Sequence, residues 1–236
     1  PERGCWVGAV RPNGIIVAID GPAGAGKSTT AKAAAAKLGY LYLDTGAMYR
    51  AVALSVLRAE IDPDDLDKVG GRAETVSIKQ EADGNGTRTL LEGEDISSEI
   101  RTQDVSNAAS RVAVHPRVRE VLIALQKSIG KQGGIVLEGR DTTTAIFPDA
   151  ELRVFLEASV DERAQRRYRE LEAADQTVNL DKLRREIEER DERDRRTQSR
   201  HGPWPSPEAI RIDTTGLTID GQVDRILKLA RERGAV

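Results

Sequence analysis

The chain has 236 residues, 39% of them hydrophobic and 32% charged, with a net charge of −3 from 36 basic and 39 acidic side chains. That composition suits one globular domain, or a core with a subdomain, and excludes wholesale disorder; its near-neutral balance does not suit a dedicated nucleic-acid or anionic-membrane binder. One cysteine, Cys5, excludes an internal disulfide framework, and with only His115 and His201 beside it the soft ligands for a structural zinc are too few.

The first predicted element is Ile15–Ile19, a short β-branched run of the kind found in a buried parallel strand, ending in the turn residues Asp20-Gly21-Pro22. A glycine-rich loop follows, then a strongly helical stretch, Ser28–Leu38, stopped by Gly39. A second strand is predicted at Tyr40–Leu43, and Asp44-Thr45-Gly46 caps a helix over 47–58. From Asp62 to Gly93 the texture changes. Val76–Ile78 and Thr87–Leu91 are strand-like, joined through the turn Asp83-Gly84-Asn85-Gly86.

Helical patterns resume at Thr102–Ala113 and Arg117–Ile129. Ile135–Glu138, a buried strand ending in an acid, and Leu152–Leu156 are the next strands, followed by charged helices over about 161–173 and 180–196. Ile210–Asp213 is a last strand and Gln222–Arg233 a closing helix. The alternation predicts an α/β fold with a doubly wound parallel sheet flanked by helices and interrupted by a small β-rich insertion. There is no internal repeat.

Gly21-Pro22-Ala23-Gly24-Ala25-Gly26-Lys27-Ser28 fits G-x-x-x-x-G-K-[ST] at every fixed position, between a predicted strand and helix. The glycines let backbone N–H groups turn inward around a polyphosphate, and the helix that follows presents its positive end. Lys27 reaches the terminal phosphates in such a loop and Ser28 ligates Mg²⁺; Thr29 completes the stretch. The chain is therefore expected to bind a nucleoside triphosphate.

Asp213-Thr214-Thr215-Gly216 matches the D-x-x-G of a GTPase switch, but it lies late in the chain and no N-K-x-D guanine-reading motif accompanies it. The chain is short and not basic, unlike motor or helicase ATPases. A small-molecule phosphotransferase remains. Phosphorylating a nucleoside monophosphate needs no general base, because the acceptor phosphate, with a second pKa of about 6, is already largely ionised. It needs cations to overcome anion repulsion and hold the partners in line. Arginine outnumbers lysine 27 to 9, which suits phosphate-gripping forks or simply a GC-rich genome. Arg50, Arg119, Arg140 and Arg190 stand in motif-like settings.

At these residues the chain resembles the bacterial cytidylate kinase family. The likeness runs through Asp44-Thr45-Gly46-Ala47-Met48-Tyr49-Arg50, Leu91-Glu92-Gly93-Glu94-Asp95-Ile96, Asn107-Ala108-Ala109-Ser110, Glu138-Gly139-Arg140-Asp141, Phe147-Pro148-Asp149-Ala150 and Arg190-Asp191-Glu192-Arg193-Asp194. The resemblance implies a phosphate-loop NTPase fold and Mg²⁺-dependent transfer of the ATP γ-phosphate to CMP or dCMP. By position it makes Ser110, Arg119 and Asp141 the cytosine readers, Arg50 and Arg140 clamps on the acceptor phosphate with Thr45 nearby, and Arg190 and Asp194 sugar and phosphate contacts. Cytosine's 4-amino donor and N3 and O2 acceptors call for such a set.

The resemblance also divides the chain: an N-terminal extension over 1–13, an ATP-binding core over 14–61 and 113–236, a monophosphate-binding insertion over 62–112 and a helical lid at about 161–190. Arg163, Arg166 and Arg167 there are candidates to close on ATP. A monomer is the family's default. No apolar run approaches the ~18 residues of a membrane-spanning helix, and the first 14 residues hold no signal-peptide core, so the expected place is the cytoplasm.

Two departures stand out. Thr143 occupies a position where the family usually has glycine, in the loop that holds Asp141. Thr197 stands where it usually has arginine, with Arg196 or Arg200 as substitutes after a shift in register. The alternatives are another monophosphate or small-metabolite kinase on the same scaffold, and an ATP-binding regulatory protein that has lost transfer.

Overall fold

The structure is a computed structural model that describes residues 11–83, 86–173, 178–198 and 203–235. Cys5, the tip of the expected hairpin turn at Gly84-Asn85, Arg200 and His201 lie outside the described residues. The chain opens with β1 (Ile16–Asp20), α1 (Lys27–Leu38), β2 (Leu41–Asp44), α2 (Thr45–Arg58) and α3 (Leu66–Thr75). It continues with β3 (Ile78–Asp83), β4 (Gly86–Leu91), β5 (Glu94–Asp95), α4 (Gln103–Val112) and α5 (Pro116–Gly130). The last part carries β6 (Ile135–Gly139), β7 (Leu152–Glu157), α6 (Val160–Glu172), α7 (Leu180–Gln198), β8 (Ile210–Asp213) and α8 (Ile219–Glu232).

Two units share these elements: 1–40 with 132–236, and 41–131. In the first, β1 runs parallel to β6 on one side (Val17 opposite Val136) and to β7 on the other (Val17 opposite Leu152), and β7 runs parallel to β8. Parallel strands covered on both faces must be apolar throughout, and every residue of β1 and β6 is buried. The alanines of α1 (Ala31, Ala34, Ala35) are fully buried, and so small a face lets the helix lie close against β6 and α8. The α/β class, the parallel sheet and its flanking helices are as the alternation predicted. The C-terminal ends of β1 and β6 deliver Asp20 and Glu138-Gly139 next to the loop before α1, where the crevice of such a sheet takes its ligands.

The second unit contains an antiparallel sheet, β3-β4-β5, with Ile78 opposite Leu91 and Glu81 opposite Arg88. Helix α2 buries Met48, Val52 and Val56 and packs on α4, while α3 packs on α5. Helix α3 corrects the sequence reading, which found only β-like texture between Asp62 and Gly93. Gly70-Gly71 hides its helical propensity. Asp65 caps the first turn by accepting from the Lys68 N–H, Val69 and Ala73 are buried, and Gly70 matters for close approach: a Cβ there would meet the Arg117 side chain at 3.0 Å. Tertiary packing supplies what propensity withholds. The compact unit that holds this sheet spans 41–131, because α2 and α5 pack with it.

Candidate active site

Residues 21–26 turn from β1 into α1, and Gly26 caps the helix with φ +87°, a left-handed conformation where a side chain would also press on the Gln222 amide oxygen at 2.9 Å. Four successive carbonyls of this loop have side-chain donors near them. Lys27 Nζ donates to the Pro22 carbonyl at 2.8 Å, Arg163 Nη1 to Ala23 at 3.1 Å, Arg166 Nη1 to Gly24 at 3.5 Å, and the Thr214 hydroxyl lies 3.2 Å from the Ala25 carbonyl. Gly21, Pro22, Ala25 and Lys27 are buried; Ser28 and Thr29 face outward at the start of α1.

Lys27 is buried, and desolvation pushes its ammonium down to about 7, with Arg140 and Arg190 adding repulsion and Glu138 and Asp194 opposing it. An anion brought to this lysine would restore its charge. Ser28 donates its hydroxyl to Glu138 Oε1 at 2.6 Å. Two hard oxygens side by side fit Mg²⁺, which prefers oxygen ligands and usually shares its sphere with substrate phosphates. Among the described residues no three His, Cys, Asp or Glu converge as a complete metal cage. Sequence reading left Glu138 without a role; its signal was the acid closing an otherwise apolar strand.

Arg140 Nε donates to Asp194 Oδ2 at 2.8 Å, joining the end of β6 to α7. Burial works against the Arg140 charge, but Asp194, Glu138 and Asp20 outweigh it and hold its pKa above the ordinary range. Burial likewise pushes Asp194 up, and Arg140, Arg190 and Lys27 overcome it and hold the carboxylate below the usual value. The structure thus gathers Lys27, Ser28, Arg140, Arg190 and Asp194 of the sequence-derived set into one charge cluster.

Asp141 is buried and opens a π-helical turn, Thr142–Ile146. Thr142 and Thr143 each donate both backbone N–H and hydroxyl to the Asp20 carboxylate, at 2.6–3.0 Å. Desolvation nevertheless raises the pKa of this fully buried acid. The departure at Thr143 therefore adds a tie: its hydroxyl reaches an acceptor that the loop already uses, and Asp20 fixes the turn that carries Asp141. The Asp20 role escaped the sequence reading, which saw only a turn residue.

In the second unit, Asp44 caps α2 by accepting from the Ala47 N–H and also accepts from Arg50 Nη2 at 3.2 Å. Gln80 of β3 grips the Asp44 backbone at both ends, donating to its carbonyl at 2.7 Å and accepting from its N–H at 3.0 Å. Thr45 is buried beside it. Arg50 Nε is buried without a hydrogen-bond partner among the described residues, which leaves a donor for an incoming acceptor. Arg119 is buried on α5. Ser110 is exposed on α4, with its hydroxyl turned back to the Ser106 carbonyl at 3.3 Å.

The expected lid arginines divide. Arg163 is buried in contacts with Asp191, Ala158 and Ala23, and Arg166 binds Glu162 and Thr214, whereas Arg167 is exposed beside Glu170. In the D-x-x-G stretch, Thr214 is buried against the phosphate loop. Arg196 pairs with Glu192 at 2.8 Å, and Arg200 lies outside the described residues.

Comparison with known proteins adds a decisive observation. The cytidylate kinase family model matches residues 17–232. The chain belongs to the cytidylate kinase family. It is 44% identical over 225 residues to a cytidylate kinase of Geobacter sp. (strain M21), covering 95% of this chain and 96% of that one. It is 44% identical over 222 residues to one from Geobacillus sp. (strain WCH70), covering 94% and 98%. An uncharacterized protein from Eubacterium ventriosum, at 15% identity and TM-score 0.50 over 92% of this chain and 98% of that one, shares the fold. As a cytidylate kinase family member the chain is a phosphotransferase, and no helix among its described residues is long and apolar enough to cross a membrane.

Proposed function

We propose that the protein transfers the γ-phosphate of ATP to CMP or dCMP, giving ADP and CDP or dCDP, with Mg²⁺, as a cytoplasmic monomer acting on small molecules and on neither nucleic acid nor membrane. The observation that carries this is the cluster of Lys27, Ser28, Glu138, Arg140 and Asp194 around the phosphate loop, in a chain of this family. The loop from Gly21 to Thr29 takes the donor polyphosphate through its backbone N–H groups. An oxygen of the acceptor phosphate attacks the γ-phosphorus in line, and the bond to the bridging β-oxygen breaks as ADP leaves. Lys27 and Arg140 neutralise the charge shared by the equatorial oxygens. Ser28 and Glu138 would hold Mg²⁺ directly or through water; bound there, it neutralises the donor's phosphate charge.

Arg50, with Thr45 beside it, clamps the acceptor phosphate alongside Arg140, and the buried orphan donor at Arg50 Nε supports that role. Ser110, Arg119 and Asp141 read cytosine. Uracil, with a carbonyl in place of the amine, would face Asp141 as acceptor against acceptor. Arg190 and Asp194 contact sugar and phosphate. In this reading residues 62–112 serve the monophosphate, and 161–190 form the lid.

A coupled assay of ADP formation from Mg·ATP tests it, with CMP, dCMP, UMP, AMP and GMP offered separately. Turnover concentrated on CMP and dCMP is expected. Comparable turnover with UMP would remove Asp141 as the selective reader, and ATP binding without turnover on any acceptor would replace the kinase by a regulatory protein.

A further inference from the structure

Arg163 sits where a lid arginine is expected, yet its side chain is only 4% exposed and four of its five N–H donors are engaged. Nε donates to the Ala158 carbonyl at 3.0 Å. Nη1 and Nη2 take both oxygens of Asp191 at 3.0 and 2.6 Å, a bidentate pairing that fixes the guanidinium plane. Nη1 also donates to the Ala23 carbonyl at 3.1 Å. These four bonds tie the guanidinium to the loop and to α7.

A trans peptide points its carbonyl and N–H in opposite directions. A cation that holds the Ala23 carbonyl on the outer side of the loop therefore holds the Gly24 N–H toward the inner side. The Arg163 Cβ also lies over Gly24, where an added methyl would sit 3.2 Å away. Arg166 and the Thr214 hydroxyl meet the next two carbonyls, at 3.5 and 3.2 Å.

We propose that Arg163, locked by Asp191 of α7, is a positioning residue for the phosphate donor: it braces the Ala23–Gly24 peptide so that the loop is formed before ATP arrives, and it does not itself touch ATP. This rests on the reading of residues 21–29 as the ATP site. It also makes the start of α6 and the part of α7 around Asp191 a brace for that loop, beside whatever the rest of 161–190 does as a lid.

The test is the double variant Arg163→Met, Asp191→Leu, because replacing a buried ion pair with apolar side chains of similar size leaves no orphan charge. The expected result is a KM for Mg·ATP raised about tenfold, the scale of one charge-assisted hydrogen bond. The KM for CMP should stay within about twofold and kcat within about threefold, since neither acceptor contacts nor transition-state contacts are removed. A kcat loss on the order of a hundredfold or more would make Arg163 a ligand of the transferring phosphate and overturn the proposal. Unchanged KM values for both substrates would overturn it equally.

Should the double variant not fold, Arg163→Lys keeps the charge but cannot serve Ala158, Ala23 and Asp191 together. The same selective rise in the ATP KM is then expected, and parent kinetics would overturn the proposal. Lys27→Ala, run beside them, separates the two failures. If it keeps parent ATP kinetics the ATP site itself is misassigned; if it loses them while the Arg163 variants match the parent, only the brace fails.

Discussion

The phosphate loop and the second unit use charge differently. Around the loop, cations are wired to buried or half-buried acids: Arg163 is 4% exposed with Asp191, and the half-buried Arg140 pairs with Asp194. In the second unit Arg50 with Asp44 is likewise half-buried, but other pairs lie at the surface. Arg111 bridges Asp62 and Asp64 at 45% exposure, and Arg58 bridges Glu94 and Glu99 at 37%. Charges taken out of water must be fully partnered and are then rigid, whereas exposed pairs gain little and remain adjustable. A polyphosphate is one fixed shape and suits a pre-formed cradle. Under the proposed function, a monophosphate carrying a base would complete an orphan donor such as Arg50 Nε.

The largest expected effect breaks the wired side at its centre. Lys27→Ala should cost about 10²–10³-fold in kcat with the fold intact by circular dichroism, as removal of a transition-state cation does. On the acceptor side, Asp141→Asn should lower kcat/KM for CMP about 10–100-fold, the scale of a lost base-reading pair. ATP affinity measured by calorimetry should be nearly unchanged; an equal loss in ATP affinity would place Asp141 with the donor. Gln80→Ala releases the Asp44 backbone and with it the turn before Arg50. A rise of about 5–10-fold in the KM for CMP is expected from the loss of two neutral hydrogen bonds, one to each end of that residue.

The buried lysine also predicts a pH effect whose sign is fixed. Lys27 titrates near 7 when folded and near 10.5 when unfolded, so between these values the unfolded chain binds the extra proton. Stability from this group must therefore rise with pH across that window, by up to about 1.4 kcal/mol per pH unit. Urea unfolding at pH 7 and pH 9 should show the parent gaining on Lys27→Met, which lacks the titrating group. A flat difference would mean the ammonium is not desolvated. The smallest effect belongs to the exposed pairs: Arg58→Ala should change unfolding free energy by about 0–1 kcal/mol, and that only at low salt.

The sequence alone determined the elements with strong local signals. An apolar strand, a G-x-x-x-x-G-K-S loop and an alanine-rich helix are local in the chain, so β1, the loop and α1 were legible, as were Asp44 as a cap and Lys27 and Ser28 as loop residues. Helix α3 was not, because two glycines erase its propensity and packing on α5 restores it. Nor were the partnerships. Glu138 meets Ser28 across 110 residues, Arg140 meets Asp194 across 54, and Thr142 and Thr143 converge on Asp20 across 122 and 123. Residue type and spacing can say that an arginine is suited to phosphate. Whether it meets one or braces a carbonyl depends on which buried acceptor lies within 3 Å, and only the tertiary structure decides that, because desolvation forces each buried cation onto the partners the fold brings to it.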